Sequence, residues 1–291
     1  MFDLPPRTAL RCEQSAPGLR DHVASYLVLD SEVGGQATSE WMLPSWAQIW
    51  IVLTDEPVRV SIGNRRYDRI PPAVLYGVTS RAMPVSAHGG VTIGIDITPL
   101  GWARLFSRSA EKLRDRITPL EEVMPAAWVQ ELATTLRDSA RALEVKGLLD
   151  GFFAQRLPEP HPDEPIIREI MALISDGNNS DLAGAAAALG IEARSLRRLT
   201  KQHFGFPPKI LMMRTRFLQA FVELLSRGKR DGLAAVPATY HDTSHFIRDG
   251  KRFLGVTPRQ FMALDTPYLL AALRARALVL GAATPTLEPA A

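Results

Sequence analysis

Seven cations, Arg194, Arg197, Arg198, Lys201, Lys209, Arg214 and Arg216, fall between Glu192 and Glu223 with no acidic residue among them. Guanidinium groups pair bidentately with guanine O6 and N7, and any of these cations can neutralise a phosphate, so the chemistry on offer is nucleic-acid recognition. The positive charge is local. Residues 165–265 hold 15 Lys/Arg against 9 Asp/Glu, and the remainder 19 against 22, within a net charge of +3. Concentration on one stretch is the electrostatic footprint of a nucleic-acid face.

A helix must present these groups. Over residues 192–202, Leu196 and Leu199 share one face and Arg194, Arg197, Arg198 and Lys201 spread over the others. Residues 181–190 read as a short Ala-rich helix, with Asp181 or Ser180 as N-cap and Gly190 as its stop. Helix, tight turn and basic helix make the helix-turn-helix pattern, whose second helix enters the major groove. A long helix is expected over about 208–226, ending at Gly228, then a second short pair over 231–238 and 243–253. A last short helix over 259–264 starts from Thr257 as cap and Pro258 in the first turn. On the register of the second pair, Thr243, Ser244, Ile247 and Arg248 face outward, and His245 can donate to a phosphate. Leu196, Leu199, Phe217, Phe246 and Phe253 are core candidates. Residues 202–207 close the first pair much as 252–258 close the second, so two units on one connecting helix would meet major-groove segments about 34 Å apart.

Leu182-Ala183, Leu189-Gly190, Leu196-Arg197-Arg198-Leu199, Phe204-Gly205, Pro207-Pro208-Lys209, Arg216-Phe217 and Ala220 resemble the first half of the AraC/XylS DNA-binding domain. Asp242-Thr243-Ser244-His245-Phe246-Ile247-Arg248, Lys251 and Gly255-Val256-Thr257-Pro258 resemble its second half. The resemblance spans roughly residues 166–264. It implies two helix-turn-helix subdomains that bind promoter DNA and usually activate transcription, with RNA polymerase as a further partner. Carried over residue by residue, it places Arg194, Arg197 and Arg198 near the groove and Ser195 and Lys201 near phosphates. A slighter likeness links Pro44 and residues 94–101 and 120–122 to the sensor domains that often accompany it. Thr239-Tyr240 stands where the family usually has Gly-Phe, Gly250 where an apolar aromatic usually precedes Lys251, and Pro237 lies inside a supporting helix. These departures raise an alternative: a protein-interaction module with a degraded second unit and secondary or non-specific DNA binding.

The rest of the chain sets the context. A length of 291 residues suggests two domains, and 46% hydrophobic with 22% charged residues is the composition of a folded soluble protein. The lone Cys12 excludes an intrachain disulfide and fits a reducing compartment, and residues 1–7 carry no apolar run, so a cytoplasmic location is expected. Strand-like runs at 22–29, 47–53, 58–62, 73–78 and 91–97, with a hairpin turn at Gly63-Asn64, predict an antiparallel sandwich or barrel-like domain. Helices trail it over 100–106, 125–143 and 148–156. The expected class is α+β, with an all-α C-terminal part. Residues 1–20, containing Pro5, Pro6 and Pro17, read as an irregular lead-in. Four prolines within 157–165 read as an extended linker. The expected division is a sensor or association domain over 1–157, a linker over 158–165, a DNA-binding domain over 166–265 and a tail over 266–291, helical over 268–280 and disordered beyond.

No His-x-His or Cys/His cluster, nucleophile motif or phosphate-cradling loop is legible, so neither catalysis, a cofactor nor a metal is expected. Trp46, Trp50, Tyr76 and Trp102, with Trp41, are candidates to line a pocket for an apolar or aromatic small-molecule effector. Self-association of the same domain would make a homodimer.

Overall fold

Alternation of buried β-branched residues builds two antiparallel sheets in the computed structural model, which describes residues 4, 7–32, 38–139, 144–176, 182–227, 240 and 242–280. The larger sheet runs in the order β1 (Thr8–Gln14), β2 (Val23–Ser31), β9 (Gly90–Ile97), β4 (Ala47–Leu53), β7 (Ala73–Tyr76), β10 (Ile117–Pro119). The smaller runs β3 (Thr38–Met42), β8 (Met83–Ala87), β5 (Arg59–Ile62), β6 (Arg65–Tyr67). Ile49 and Ile51 of β4 face Ile95 and Ile93 of β9 across the ladder, all four fully buried. Gly63 and Asn64 make the expected hairpin, with Ile62 opposite Arg65. Among the described residues four strands, β1, β3, β8 and β10, went unread in the sequence. Residues 8–14 are not an irregular lead-in but pair with β2 from Thr8↔Ser31 to Gln14↔Ser25. Their charged residues, and Pro84 within β8, hide the alternation that marks a strand. β3, with Glu40 and a single aromatic, is equally faint.

The chain then turns helical: α1 (Pro99–Leu105), α2 (Ala110–Leu113), α3 (Ala126–Ser139), α4 (Val145–Arg156), α5 (Glu164–Asp176), α6 (Leu182–Ala188), α7 (Ala193–Phe204), α8 (Pro208–Arg227), α9 (Thr243–Leu254), α10 (Pro258–Met262) and α11 (Pro267–Leu280). The class is α+β. α5 begins before Pro165, because a proline in the first turn has no intrahelical N–H to lose. Its first residue, Glu164, is clamped by two hydrogen bonds from the Arg104 guanidinium, which holds the carboxyl down at about 2. The Pro-rich segment is therefore fastened on its C-terminal side, unlike the open spacer that its prolines suggest. Asp181, Ser180, Gly228, Pro237, Thr239, residues 231–238 and residues 281–291 lie outside the described residues.

Buried side chains join these parts. One core runs from the sandwich through Leu196, Leu199 and Phe204 of α7 to Leu211 and Met212 of α8. A second gathers Phe217, Phe221, Phe246, Phe253 and Phe261 with Leu43 and Ala82 from the sandwich side. α11 folds back on β1 and β3. It carries Arg276 into the sandwich, where Arg276 pairs with Asp96 at 2.8 Å. Asp96 also accepts from Gln48 at 2.6 Å and from Ser25. The tail was expected to be helical, but not to complete the sandwich. Among the described residues no helix is long and apolar enough to cross a membrane.

Candidate nucleic-acid interface

α7 divides into two sides. Leu196, Leu199, Thr200, His203 and Phe204 are buried, while Arg194, Arg197 and Arg198 are exposed. The Thr200 hydroxyl donates to the Leu196 carbonyl at 2.9 Å, so the polar group on the buried side is satisfied. The three arginines project from the N-terminal half, the part of a recognition helix that reaches base edges. Arg194 meets Glu192 at 2.8 Å, with both side chains more than two-thirds exposed, an ion pair weak enough to yield to a phosphate or base. Arg198 donates to Gln202 at 3.3 Å, and Ser195 is half-buried. The C-terminal half of α7 lies against α2. Lys201 binds Glu111 at 2.9 Å, and Arg114 donates to the Gly205 carbonyl at 3.3 Å.

One member of the basic block is a core group, and a second is half-buried and paired. Arg214 is 2% exposed; its guanidinium lies 4.2 Å from the Trp46 ring centre and donates to the carbonyls of Thr79 at 2.8 Å and Ser45 at 3.2 Å. Burial lowers its pKa to about 10, which leaves it a cation at neutral pH. Arg216 pairs with the buried Asp249 at 3.3 Å and lies over Tyr240. α8 is covered from two sides, and a charge count along the sequence cannot register that. Lys209 remains exposed.

α9 repeats the plan of α7. The Asp242 side chain caps it by accepting from the Ser244 amide at 2.8 Å, and Phe246 and Phe253 are buried. Thr243, Ser244, His245 and Arg248 are exposed, and Ile247 is half-buried. Both helices end at a left-handed glycine, Gly205 at φ 78° and Gly255 at φ 82°, so the sequence echo is also a backbone echo. Two of the departures from the family pattern are part of the packing. The Tyr240 hydroxyl donates to Asp249 at 2.8 Å, which satisfies both buried groups. A Cβ on Gly250 would fall 2.5 Å from Cδ of Pro258, so only glycine lets α10 start beside α9. That start is a capping box between Thr257 and Gln260.

A cavity of about 180 Å³ lies between the sheets, walled by Leu27, Leu29, Trp50 and Val85 and closed by Leu269 and Leu273 of α11. Of the four predicted pocket residues, Trp50 lines it; Trp41 does so as well. Trp46 is held between Arg214 and Phe204, Tyr76 is wholly buried behind Trp50, and Trp102 donates to the Arg108 carbonyl at 2.9 Å. Fully enclosed aromatics fill space rather than border it. Glu40, at the cavity wall, accepts from the Leu269 amide at 2.7 Å near the start of α11, and burial pushes its carboxyl up to about 7.

The fold also assembles a cluster that the sequence does not announce. His203, in the last turn of α7, meets Asp163 at 2.9 Å, and its ring centre lies 5.3 Å from that of His161. Desolvation depresses the pKa of His203, favouring the neutral imidazole. Forty residues separate His203 from its partners in the Pro-rich segment, so no spacing rule could have found them.

Residues 185–263 match the family model of a helix-turn-helix domain. No curated protein matches the sequence. Among solved structures, the chain is similar to ToxT from Vibrio cholerae with an unsaturated fatty acid bound, at 12% identity over 90% of this chain and 97% of that one, TM-score 0.45. A second ToxT structure from the same organism gives 13% identity, 88% and 96% coverage and a TM-score of 0.44. The AraC-like transcriptional activator CuxR gives 12%, 77% and 94%, with a TM-score of 0.29.

Proposed function

We propose that this chain, a DNA-binding transcription regulator with an AraC-type helix-turn-helix domain over residues 185–263, is an activator that reads a bipartite promoter site under the control of its N-terminal half. The observation that carries the reading is the division of α7: three exposed arginines on the half that enters a groove, and a buried apolar side that fixes their register. In this reading Arg194, Arg197 and Arg198 address guanine edges, and Ser195 and Lys201 address the backbone. Thr243, Ser244, His245 and Arg248 address a second groove segment one turn away. The intact packing around Tyr240 and Gly250 supports a working second unit over a degraded one.

The cavity supports an effector site for a compact, largely apolar molecule, since most of its lining is aliphatic and aromatic, with Glu40, Gln48 and Arg276 as polar groups at its wall. Its closing wall, α11, follows α10 directly, so occupancy would bear on the second unit. Activation would pass to RNA polymerase, and self-association through the N-terminal half would align two such chains on one promoter. Genome-wide footprinting of the purified protein at physiological salt tests the proposal: a defined bipartite motif is expected, and uniform salt-sensitive coating would overturn it. For the effector site, apolar compounds should raise the melting temperature, and Trp50→Ala should change which ones do.

A further inference from the structure

His161, Asp163 and His203 present two imidazoles and a carboxylate whose ligand atoms all lie within 4.8 Å of one another. Two imidazoles sharing a tetrahedral zinc, with Zn–N bonds of about 2.0 Å, have ring centres about 5 Å apart. The pair here stands at 5.3 Å, with ring planes at 72°. Zinc would hold its donor atoms about 3.4 Å apart. The His203–Asp163 contact at 2.9 Å then opens slightly, and the widest pair closes by at most about 1.4 Å, a change within the range of side-chain rotation.

The surroundings favour an ion. His203 has 3% of its side chain exposed and Asp163 30%, so the set has one rigid inner ligand and an outer side open to solvent for entry and for a water in the fourth position. His161 Nδ1 accepts from the Asp163 amide at 3.1 Å, an ordinary hydrogen bond that orients the ring beside the cluster. The backbone on either side is held. The His161 amide donates to Glu164 at 3.0 Å, and Glu164 is fixed by Arg104, so the two outer ligands sit on anchored chain. Two nitrogens and one oxygen suit zinc and cobalt(II) over magnesium or calcium, which prefer all-oxygen shells.

We propose that His161, Asp163 and His203 form a zinc-type site that fastens the Pro-rich segment to the C-terminal turn of α7. Cobalt(II) is the probe: the full chain, stripped with a chelator, is titrated while its visible d–d absorption is followed, and zinc is then added. One cobalt per chain with the intense bands of low coordination, displaced by zinc, is the expected result. His161→Ala removes a half-exposed ligand and leaves the His203–Asp163 bond in place, so it should fold. It should bind cobalt at least about 10-fold more weakly, since even outer-shell losses reach that scale. His88→Ala should bind as the parent does. Zinc should raise the melting temperature of the parent more than that of His161→Ala at the same concentration. Absence of saturable cobalt uptake overturns the proposal, as does uptake that His161→Ala and Asp163→Asn leave unchanged, which would put the ion elsewhere.

Discussion

α7 and α9 end at matching left-handed glycines, yet they rest on different foundations. α7 shares a continuous core with the sandwich and is tied to α2 through Lys201 and Glu111. α9 packs into a cluster of phenylalanines, joined from the sandwich side by Leu43 and Ala82. The N-terminal halves of their outward faces differ too: three arginines on α7; a threonine, a serine, a histidine and one arginine on α9, whose exposed Lys251 and Arg252 sit in its last turn. In the half of each helix that a recognition helix turns toward base edges, charge is concentrated on α7, which shares its core with the sandwich, and short polar groups on α9. Electrostatic attraction is tolerant of geometry at long range, but a bidentate arginine is not, and a rigid mount is what such a contact needs.

The largest test of this contrast is Arg214→Ala. It strands the Ser45 and Thr79 carbonyls and uncovers Trp46, and it should cost about 3 kcal/mol or more in urea unfolding. Arg248→Ala, on an exposed face, should stay within about 0.5 kcal/mol. Equal losses would mean that the first unit is no more firmly mounted than the second. Next, Arg197→Ala should weaken binding to a specific site by about 1–3 kcal/mol while non-specific binding changes little, with a smaller effect from Arg248→Ala. Uniform loss on every DNA would reduce these arginines to phosphate contacts. Gly250→Ala should destabilise by about 1 kcal/mol or somewhat more by driving a methyl into Pro258, measured as a lowered urea midpoint; a neutral outcome would show that α10 can shift. A small effect on stability is also expected for Glu111→Gln, under about 1 kcal/mol because the pair is partly exposed. It frees Lys201, so the salt dependence of DNA binding should steepen by about one phosphate contact. An unchanged slope would place Lys201 off the DNA.

The helical third was legible because its punctuation is local: Gly205 and Gly255 stop helices, Pro208 and Pro258 start them, and Leu196 and Leu199 mark a face. β1, β3 and β8 were not, because an edge strand such as Thr8–Gln14 lacks the β-branched run that betrays β9. Side-chain type also misled where burial decides. Arg214 looks like part of a basic face and is a core residue, whereas Trp46, Tyr76 and Trp102 look like pocket walls and are filler. The cavity owes its closure to α11, and the His161–Asp163–His203 cluster to a chain crossing. Both are long-range facts with no short-range trace.

The Asp96–Arg276 pair has a consequence for synthesis. Asp96 is laid down in the middle of the sandwich, but its cationic partner is encoded 180 residues later, after α7 and α9. A nascent or truncated chain that stops within those helices has to leave a carboxylate at the centre of the sheet without its counter-charge, a costly state. The pair thus ties the charge balance inside the sandwich to a helix that lies beyond both helix-turn-helix units in the chain, with Gln48 and Ser25 as the partners Asp96 keeps when α11 is missing.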